Sequence, residues 1–372
     1  MAMSKPLTTI SNSLKTVEWM WKANEDPFSD EQEKWNHYSD VENVIIERAY
    51  QNKELQAVLD DYYIDFNDNL QASTNDSYRK RPVKRVVRKR EDKHLREARF
   101  MDLPVSSGRS FGGQYGWIPP FVIEVRRDLG LKKQDLPSKN PELIPGLVEK
   151  AAQGIINEAK HIRKQKEAEE MAKMLLETKQ KSMEDVWKCC AYLYSLESFL
   201  YKTLNATMRL VGSKDDEKIW RSKIKTLGPF CLLLWDDPFN KKARSDIELY
   251  RGANLTPEQI NTYKKMAESK EEYGSFQSFS SCSRNRLKAA KFGNALFIMK
   301  VLYAFIADLS ELSKYPNEEE ELVTPGVCFR VERVEFDKNK NKHYIYLELK
   351  QRFSGKKYKL IIAFLARLTF PL

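Results

Sequence analysis

Tyr315-Pro316-Asn317-Glu318-Glu319-Glu320-Glu321-Leu322-Val323-Thr324-Pro325-Gly326 is the stretch on which the reading of this chain turns. A Pro-Asn turn precedes four glutamates, which run directly into Leu-Val and then a Pro-Gly turn. A run of like charges is ordinarily a solvated loop. The apolar continuation instead predicts that the acids enter a strand. Side chains alternate across a strand, so Glu319 and Glu321 are expected on one face. Two carboxylates side by side at a strand entrance are costly unless a cation meets them.

Two stretches upstream supply the polar company. Ser275-Phe276-Gln277-Ser278-Phe279-Ser280-Ser281-Cys282-Ser283 sets hydroxyls between aromatics. It reads as a polar strand or turn, or as a pocket wall that orients another side chain by hydrogen bonds. Leu249-Tyr250-Arg251-Gly252 closes a predicted strand. An Arg there can grip a phosphate with two nitrogens, and Gly lets a ligand approach the backbone, although a surface Arg beside a turn Gly is the plainer reading. Thirty residues separate Arg251 from Ser281, and forty separate Ser281 from Glu321.

Around these motifs the periodicity divides the chain. After Ile247 the signal is mostly strand: Ile247 to Tyr250, Ala295 to Val301, Val327 to Phe336 and His343 to Leu349 are rich in β-branched and aromatic residues. One helix interrupts them, with Thr256 as N-cap, Pro257 in its first turn and Gln259 reciprocating. From Leu147 the pattern is helical. Val148, Ala151, Ile155, Ala159 and Ile162 recur at three- and four-residue intervals ahead of the charged KQKEAEE. A second helix is expected from Ser182 through Trp187, Tyr194 and Leu204 to Gly212, and a third from about Asp215 into CLLLW. Helices first and strands afterwards predict an α+β domain. There is no Gly-x-Gly-x-x-Gly, no Walker loop and no internal repeat.

Before this domain, LPVSSGRSFGGQYGWIPP and LPSKNPELIPG read as a connector, with Trp117, Phe121, Val122 and Ile123 able to dock on a neighbour. Residues 14–90 form an earlier block, rich in aromatics and acids. Val41, Val44, Ile45 and Ala49 share one face of a helix that Ser39 or Asp40 caps. Strand-like pieces follow at Tyr62 to Phe66 and Val83 to Val87, so a small sheet packed on a helix is predicted. The block closes on RKRPVKRVVRKR, Arg79 to Arg90, with eight basic residues and no acid. It reads as a solvated linker or edge strand, or as a patch for a polyanion or a nuclear-import signal.

The chain has 372 residues, a net charge of +10, and is 41% hydrophobic and 31% charged, enough apolar content for two or three domains. Cys189, Cys190, Cys231, Cys282 and Cys328 contain no Cys-x-x-Cys pair. His37, His94, His161 and His343 lie far apart, so neither a disulfide framework nor a zinc site is expected. Met-Ala-Met-Ser-Lys-Pro lacks the apolar run of a secretory leader, and no window approaches the ~20 apolar residues of a membrane span. The apolar tail from Leu360 reads as a last packed element. Residence in a reducing intracellular compartment, cytoplasmic or nuclear, is expected.

Taken in order, Arg, Ser cluster and Glu-x-Glu resemble the Arg-Ser-Glu class of ADP-ribosyltransferases. The resemblance spans about residues 145–360. Its Arg falls on Arg251, its Ser-Thr-Ser on Ser281-Cys282-Ser283, and its glutamates on Glu319 and Glu321, with Leu322-Val323-Thr324-Pro325 following. Cys282 stands where the family has Thr, and Glu318 with Glu320 is the competing register. The resemblance implies a split-sheet fold that takes NAD, with NADP as the alternative dinucleotide, and no metal. It implies catalytic roles for Arg251, Ser281, Glu319 and Glu321, and cofactor contacts from Arg251, Gly252 and Ser281. Breaking the nicotinamide–ribose bond develops positive charge on the sugar, which a fixed carboxylate stabilises. Glu321 suits that role, with Ser281 orienting it and Arg251 holding a phosphate or ribose. Glu319 would pair with an acceptor arginine, since in this family Glu at that place goes with arginine as acceptor.

The early block resembles a WWE domain: Trp19, Trp21 and Trp35, then Ile46-Glu47-Arg48-Ala49-Tyr50, then Tyr62 to Phe66, Gln71, and Arg81-x-Val83-Lys84-Arg85. Such modules bind ADP-ribose units or protein partners. By position Trp21, Tyr62, Gln71 and Arg81 would line the pocket, with Arg81 and Arg85 meeting pyrophosphate, while at least one of Trp19 and Trp35 is core. Beside these landmarks the polyanion reading of the basic run ranks first. The expected organisation is a WWE domain at 10–92, a Gly/Pro-rich connector at 93–146 and a catalytic domain, with its helical subdomain, at 147–360. The expected activity is arginine-directed mono-ADP-ribosyl transfer to protein acceptors. An NAD glycohydrolase and a non-catalytic poly(ADP-ribose) reader are the alternatives, and neither a membrane nor a specific nucleic acid is expected as partner.

Overall fold

Ser39 opens the first helix, Asp40–Gln51, with a reciprocal cap. Its Oγ accepts from the Glu42 N–H at 3.1 Å, and Glu42 Oε2 accepts from the Ser39 N–H at 2.8 Å. The computed structural model describes residues 17–76, 78–87, 118–132, 135–240, 243–269 and 273–351. The first half of the Gly/Pro-rich connector, with Trp117, the close of the basic run from Arg88, the opening residues and the apolar tail lie outside them.

The helix packs against an antiparallel sheet of β1 (Val17–Lys22), β2 (Trp35–His37), β3 (Gln56–Val58), β4 (Tyr62–Asp65), β5 (Leu70–Ser73) and β6 (Lys80–Val87), in the order β2-β1-β6-β5-β4-β3. Trp19, Ile46, Ala49, Ile64 and Val83 close the core between them. The basic run is therefore neither linker nor edge strand up to Val87. It is an interior strand paired with β1 on one side and β5 on the other. Val83 points into the core and supplies the burial that the flanking charges conceal in the sequence.

Helices Pro120–Asp128, Ile144–Ala159, Gln165–Leu176, Met183–Ser195, Phe199–Leu210, Glu217–Ser222 and Ile224–Trp235 surround a second core. Two readings of the sequence are corrected here. The connector contains a helix whose Phe121, Val122 and Val125 are fully buried, so its end belongs to this core. The helix expected from Ser182 to Gly212 breaks at Leu196, where the backbone is extended. Ser198 then restarts it, its Oγ accepting from the Leu200 N–H at 3.3 Å. The charged KQKEAEE, which follows the first helical pattern, opens another helix that buries Ala168, Met171, Ala172 and Leu175.

The last layer is an eight-stranded sheet: β7 (Ile247–Ala253), β8 (Gly274–Ser275), β9 (Ser280–Ser283), β10 (Ala295–Tyr303), β11 (Ile306–Asp308), β12 (Glu320–Val323), β13 (Val327–Asp337) and β14 (Lys342–Gln351). Its order is β11-β12-β9-β7-β10-β14-β13-β8. β7 and β9 meet through one residue pair, Tyr250↔Ser283, so the sheet is split there, as an α+β split-sheet fold requires. Helix Pro257–Glu268 bears on the larger part, capped by Thr256 and Gln259 as its sequence predicts. One face of the sheet buries Leu249, Phe297, Met299 and Ile345, while Phe279, Ala307 and Leu322 join the helical core.

Candidate active site

The three motifs converge at the split. Residues opposite one another in an antiparallel ladder share a face. Tyr250 opposes Ser283 and Glu321 opposes Cys282, so Arg251, Cys282 and Glu321 lie on one face of the sheet. Ser281 opposes Leu322, and the pleat sends both to the other face. Arg251, 2% exposed, nevertheless reaches Ser281: its Nη1 donates to the Ser281 carbonyl across the split.

Glu321 is fully buried, and a buried carboxylate needs its charge met. Nη1 of Arg244 lies 2.9 Å from both Oε1 and Oε2, and Nη1 of Arg284 lies 3.3 Å from Oε1. Arg284 also reaches Asp308 Oδ2 at 3.0 Å, and Asp308 opposes Glu321 on β11. Burial pushes the Glu321 carboxyl above its ordinary range, while Arg244 and Arg284 pull it down. The orientation expected from Ser281 is thus supplied here by two arginines that carried no motif signal. Arg284 directly follows the Ser cluster, which is the one cue the sequence held.

Glu319 does not share the face of Glu321 by strand alternation, because it stands before β12. Its backbone is left-handed, with φ of 48°, a conformation that costs a non-glycine residue about 1–3 kcal/mol. Groups at the end of the Ser motif and just after it, a backbone N–H among them, hold it there. Arg284 N–H donates to the Glu319 carbonyl at 3.1 Å, and Asn285 Nδ2 to its Oε1 at 3.0 Å. The Ser283 hydroxyl donates to the Glu318 carbonyl at 2.6 Å, and Lys288 Nζ donates to the Asn317 carbonyl. The Glu319 side chain keeps 40% of its exposure, the opposite of Glu321. Glu318 and Glu320, the competing register, are buried.

At Gly252 the room for a Cβ is already filled by the Ala289 carbonyl at 2.6 Å and Phe292 Cβ at 2.7 Å. Close packing of the short helix Arg286–Ala289 therefore requires a glycine there. Burial pushes the Cys282 thiol up to about 12, against the pull of Arg251, so it is not a thiolate. Among the described residues no group of three or more His, Cys, Asp or Glu could hold a metal ion, and no helix is long and apolar enough to cross a membrane.

In the N-terminal sheet Gln71 opposes both Ile64 and Arg81, and Val83 opposes Trp21. Alternation then places Trp21, Tyr62, Gln71 and Arg81 on one face. The Arg81 guanidinium stands 5.5 Å from the Trp21 ring centre and donates to the carbonyls of Lys22 and Asn24 at 2.9 and 2.7 Å. The Tyr38 hydroxyl donates to Gln71 Oε1 at 2.5 Å. Arg85 is committed elsewhere, its Nε and Nη2 bonding the buried Glu47 at 2.9 and 2.7 Å. Burial raises the Glu47 carboxyl, but hydrogen bonds from Arg85, Gln51 and Trp19 outweigh it, so Glu47 sits below its ordinary range. Trp19 is core, its Nε1 donating to Glu47 Oε2 at 2.9 Å, whereas Trp35 is half-buried beneath the Lys84 ammonium.

Residues 147–354 match the family described as NAD:arginine ADP-ribosyltransferase, and residues 17–85 match the WWE domain. With more than half of its length matched, the chain belongs to that ADP-ribosyltransferase family. It is an ADP-ribosyltransferase of the family that takes NAD as its donor, carrying an N-terminal WWE domain. No curated protein matches it. Among solved structures it is similar to the ADP-ribosyltransferase HopU1 of Pseudomonas syringae pv. Tomato, at 18% identity over 47% of this chain and 79% of that one, with a TM-score of 0.38. It is also similar to exoenzyme S from Pseudomonas aeruginosa, solved with human 14-3-3 protein beta and bound to Carba-NAD. That match has 18% identity over 57% and 96% of the two chains, with a TM-score of 0.37. A third is the type III effector XopAI from Xanthomonas axonopodis pv. citri, at 14% identity over 62% and 98%, with a TM-score of 0.40.

Proposed function

We propose that this protein transfers a single ADP-ribose from NAD to an arginine side chain of a protein acceptor, releasing nicotinamide. The observation that carries the reading is the pair of glutamates two residues apart in opposite environments: Glu321 fully buried between two guanidinium groups, Glu319 side chain 40% exposed. NAD is the substrate, and Arg251, at the split, holds its phosphate or ribose end. Ser281 contributes through its carbonyl to Arg251, a positioning role in place of the expected contact with Glu321.

As the nicotinamide–ribose bond lengthens, positive charge grows on the sugar. A carboxylate already desolvated and oriented lowers that barrier without reorganising. Arg244 and Arg284 keep Glu321 ionised in a buried site, where an unpaired carboxyl would take up a proton. The acceptor guanidinium has a pKa above ~12 and attacks poorly while protonated. Glu319, accessible at the strand entrance, pairs with it and accepts its proton as the new C–N bond forms at the ribose.

The shared face of Trp21, Tyr62, Gln71 and Arg81 supports ADP-ribose binding by the WWE domain, the ring stacking on adenine and Arg81 meeting pyrophosphate. The family matches support a WWE domain and a catalytic domain as two modules, within the 10–92 and 147–360 boundaries proposed for them. Incubation with labelled NAD and a small guanidine acceptor tests the central reading. Label on the amine is expected. Free ADP-ribose alone would make the protein a glycohydrolase, and no turnover at all would leave it a reader.

A further inference from the structure

The WWE helix does more than carry its own module. Asp40, its first residue, is 3% exposed and joins three parts of the chain. Its Oδ2 accepts from the Glu197 N–H at 2.8 Å, in the segment that separates helices Met183–Ser195 and Phe199–Leu210. Its Oδ1 accepts from the Tyr315 hydroxyl at 3.0 Å. Its carbonyl accepts from Lys314 Nζ at 3.0 Å, and that ammonium stands 3.9 Å from Oδ1. Lys314 is 2% exposed, so an ion is buried on each side of the joint. Val41 and Val44, the next turn of the same helix, lie in the helical core.

Lys314 and Tyr315 belong to the loop between β11 and β12 that ends in the acidic pair. Tyr315 is bonded to the residue just before that pair: the Glu318 N–H donates to the Tyr315 carbonyl at 2.9 Å, closing the turn Pro316–Glu318. Glu319 follows immediately, in its left-handed conformation. The two glutamates are not equally dependent on this anchor. Glu321 is laced into β12, paired with β9 and β11 and gripped by two arginines. Glu319 lies outside the ladder at the end of the loop, where its placement is shared between the loop, the Arg284 N–H on its carbonyl, and Asn285 and Lys288, at 3.0 and 3.9 Å from its Oε1.

We propose that Asp40 of the WWE helix is a positioning residue of the catalytic centre, holding Lys314 and Tyr315 so that Glu319 is presented to the acceptor guanidinium. The WWE module is then a fixed part of the transferase as well as a binding module. This rests on the acceptor role given to Glu319 above. It makes a demand that a merely structural role does not. Loss of folded protein lowers arginine transfer and NAD hydrolysis in proportion, whereas misplacing Glu319 lowers transfer more than hydrolysis.

The test measures both activities in the full chain, with labelled NAD and a small guanidine acceptor, for wild type, Tyr315→Phe, Asp40→Asn and Glu319→Gln. Tyr315→Phe removes one hydroxyl from a carboxylate and should lower the transfer-to-hydrolysis ratio about threefold, and Asp40→Asn, which also removes the charge facing Lys314, about tenfold. Should Asp40→Asn fail to fold, Tyr315→Phe decides alone. A wild-type ratio in folded Tyr315→Phe and Asp40→Asn, with the ratio lowered in Glu319→Gln, overturns the role of Asp40 and spares that of Glu319. A wild-type ratio in Glu319→Gln overturns the acceptor reading and the role of Asp40 with it.

Discussion

Replacing Arg244 by Met tests whether the buried carboxylate depends on its cation. The substitution keeps most of the aliphatic stem and removes the guanidinium that meets both oxygens of Glu321 at 2.9 Å. Breaking a buried pair from one side typically costs about 3–5 kcal/mol. Arg244 retains 35% of its side-chain exposure and Arg284 stays 3.3 Å from Oε1, so solvent and the second cation screen the loss. We therefore expect about 1–2 kcal/mol, which is roughly one further unit of upward shift in the Glu321 pKa.

The sign follows from the active form. Catalysis needs the carboxylate, and burial already raises its pKa, so activity falls as pH drops through that raised value. In Arg244→Met the acid limb of kcat/KM against pH should move to higher pH by about one unit. Stability should show the complementary trend. The deficit of the variant is small at low pH, where Glu321 is protonated, and grows as pH rises through the folded-state pKa. A pH–rate profile that superimposes on wild type, from a variant that melts cooperatively, would refute the proposal that Arg244 keeps Glu321 ionised.

Glu321→Gln keeps the shape and removes the charge, so turnover, measured as nicotinamide release, should fall about 10²–10³-fold, while the variant still folds with a stability loss of about 1–2 kcal/mol, like that of Arg244→Met. Glu319→Gln should lose arginine labelling while NAD hydrolysis continues; equal loss of both contradicts the acceptor role. Gly252→Ala places a Cβ 2.6 Å from the Ala289 carbonyl and should destabilise the fold by about 1–3 kcal/mol in denaturant titration. Trp21→Ala should weaken ADP-ribose binding about tenfold or more by calorimetry, the scale of one lost base stack.

The distance between what was legible and what was not is clearest at Glu319 and Glu321. Their spacing at a strand entrance could be read from the chain, with Glu318 and Glu320 as the competing register, because a turn and a strand entrance are local patterns, and their link to the Ser motif came from the family resemblance. That they occupy different environments could not. Alternation assigned them one face, but the strand begins at Glu320 and the chain turns through positive φ one residue earlier. The cations that make Glu321 affordable lie 77 and 37 residues away in the chain, and neither sits in a recognisable motif. The basic run shows the same limit, since eight charges hid an interior strand whose inward residue is Val83.

Short-range chemistry thus narrowed the first cap to Ser39 or Asp40 and settled the cap at Thr256, the order of helices before strands, the Arg, Ser and Glu motifs and the tryptophan landmarks. Each depends on neighbours within a turn of helix or a few strand positions, so sequence alone determines it. Only the tertiary structure decided that Arg244 and Arg284 hold Glu321, that Ser281 meets Arg251 by its carbonyl, and that Asp40 reaches a loop 274 residues further on. Those contacts are fixed by ladder register and by the packing of a helix against a distant loop, and the energy that selects them exists only once the layers have assembled.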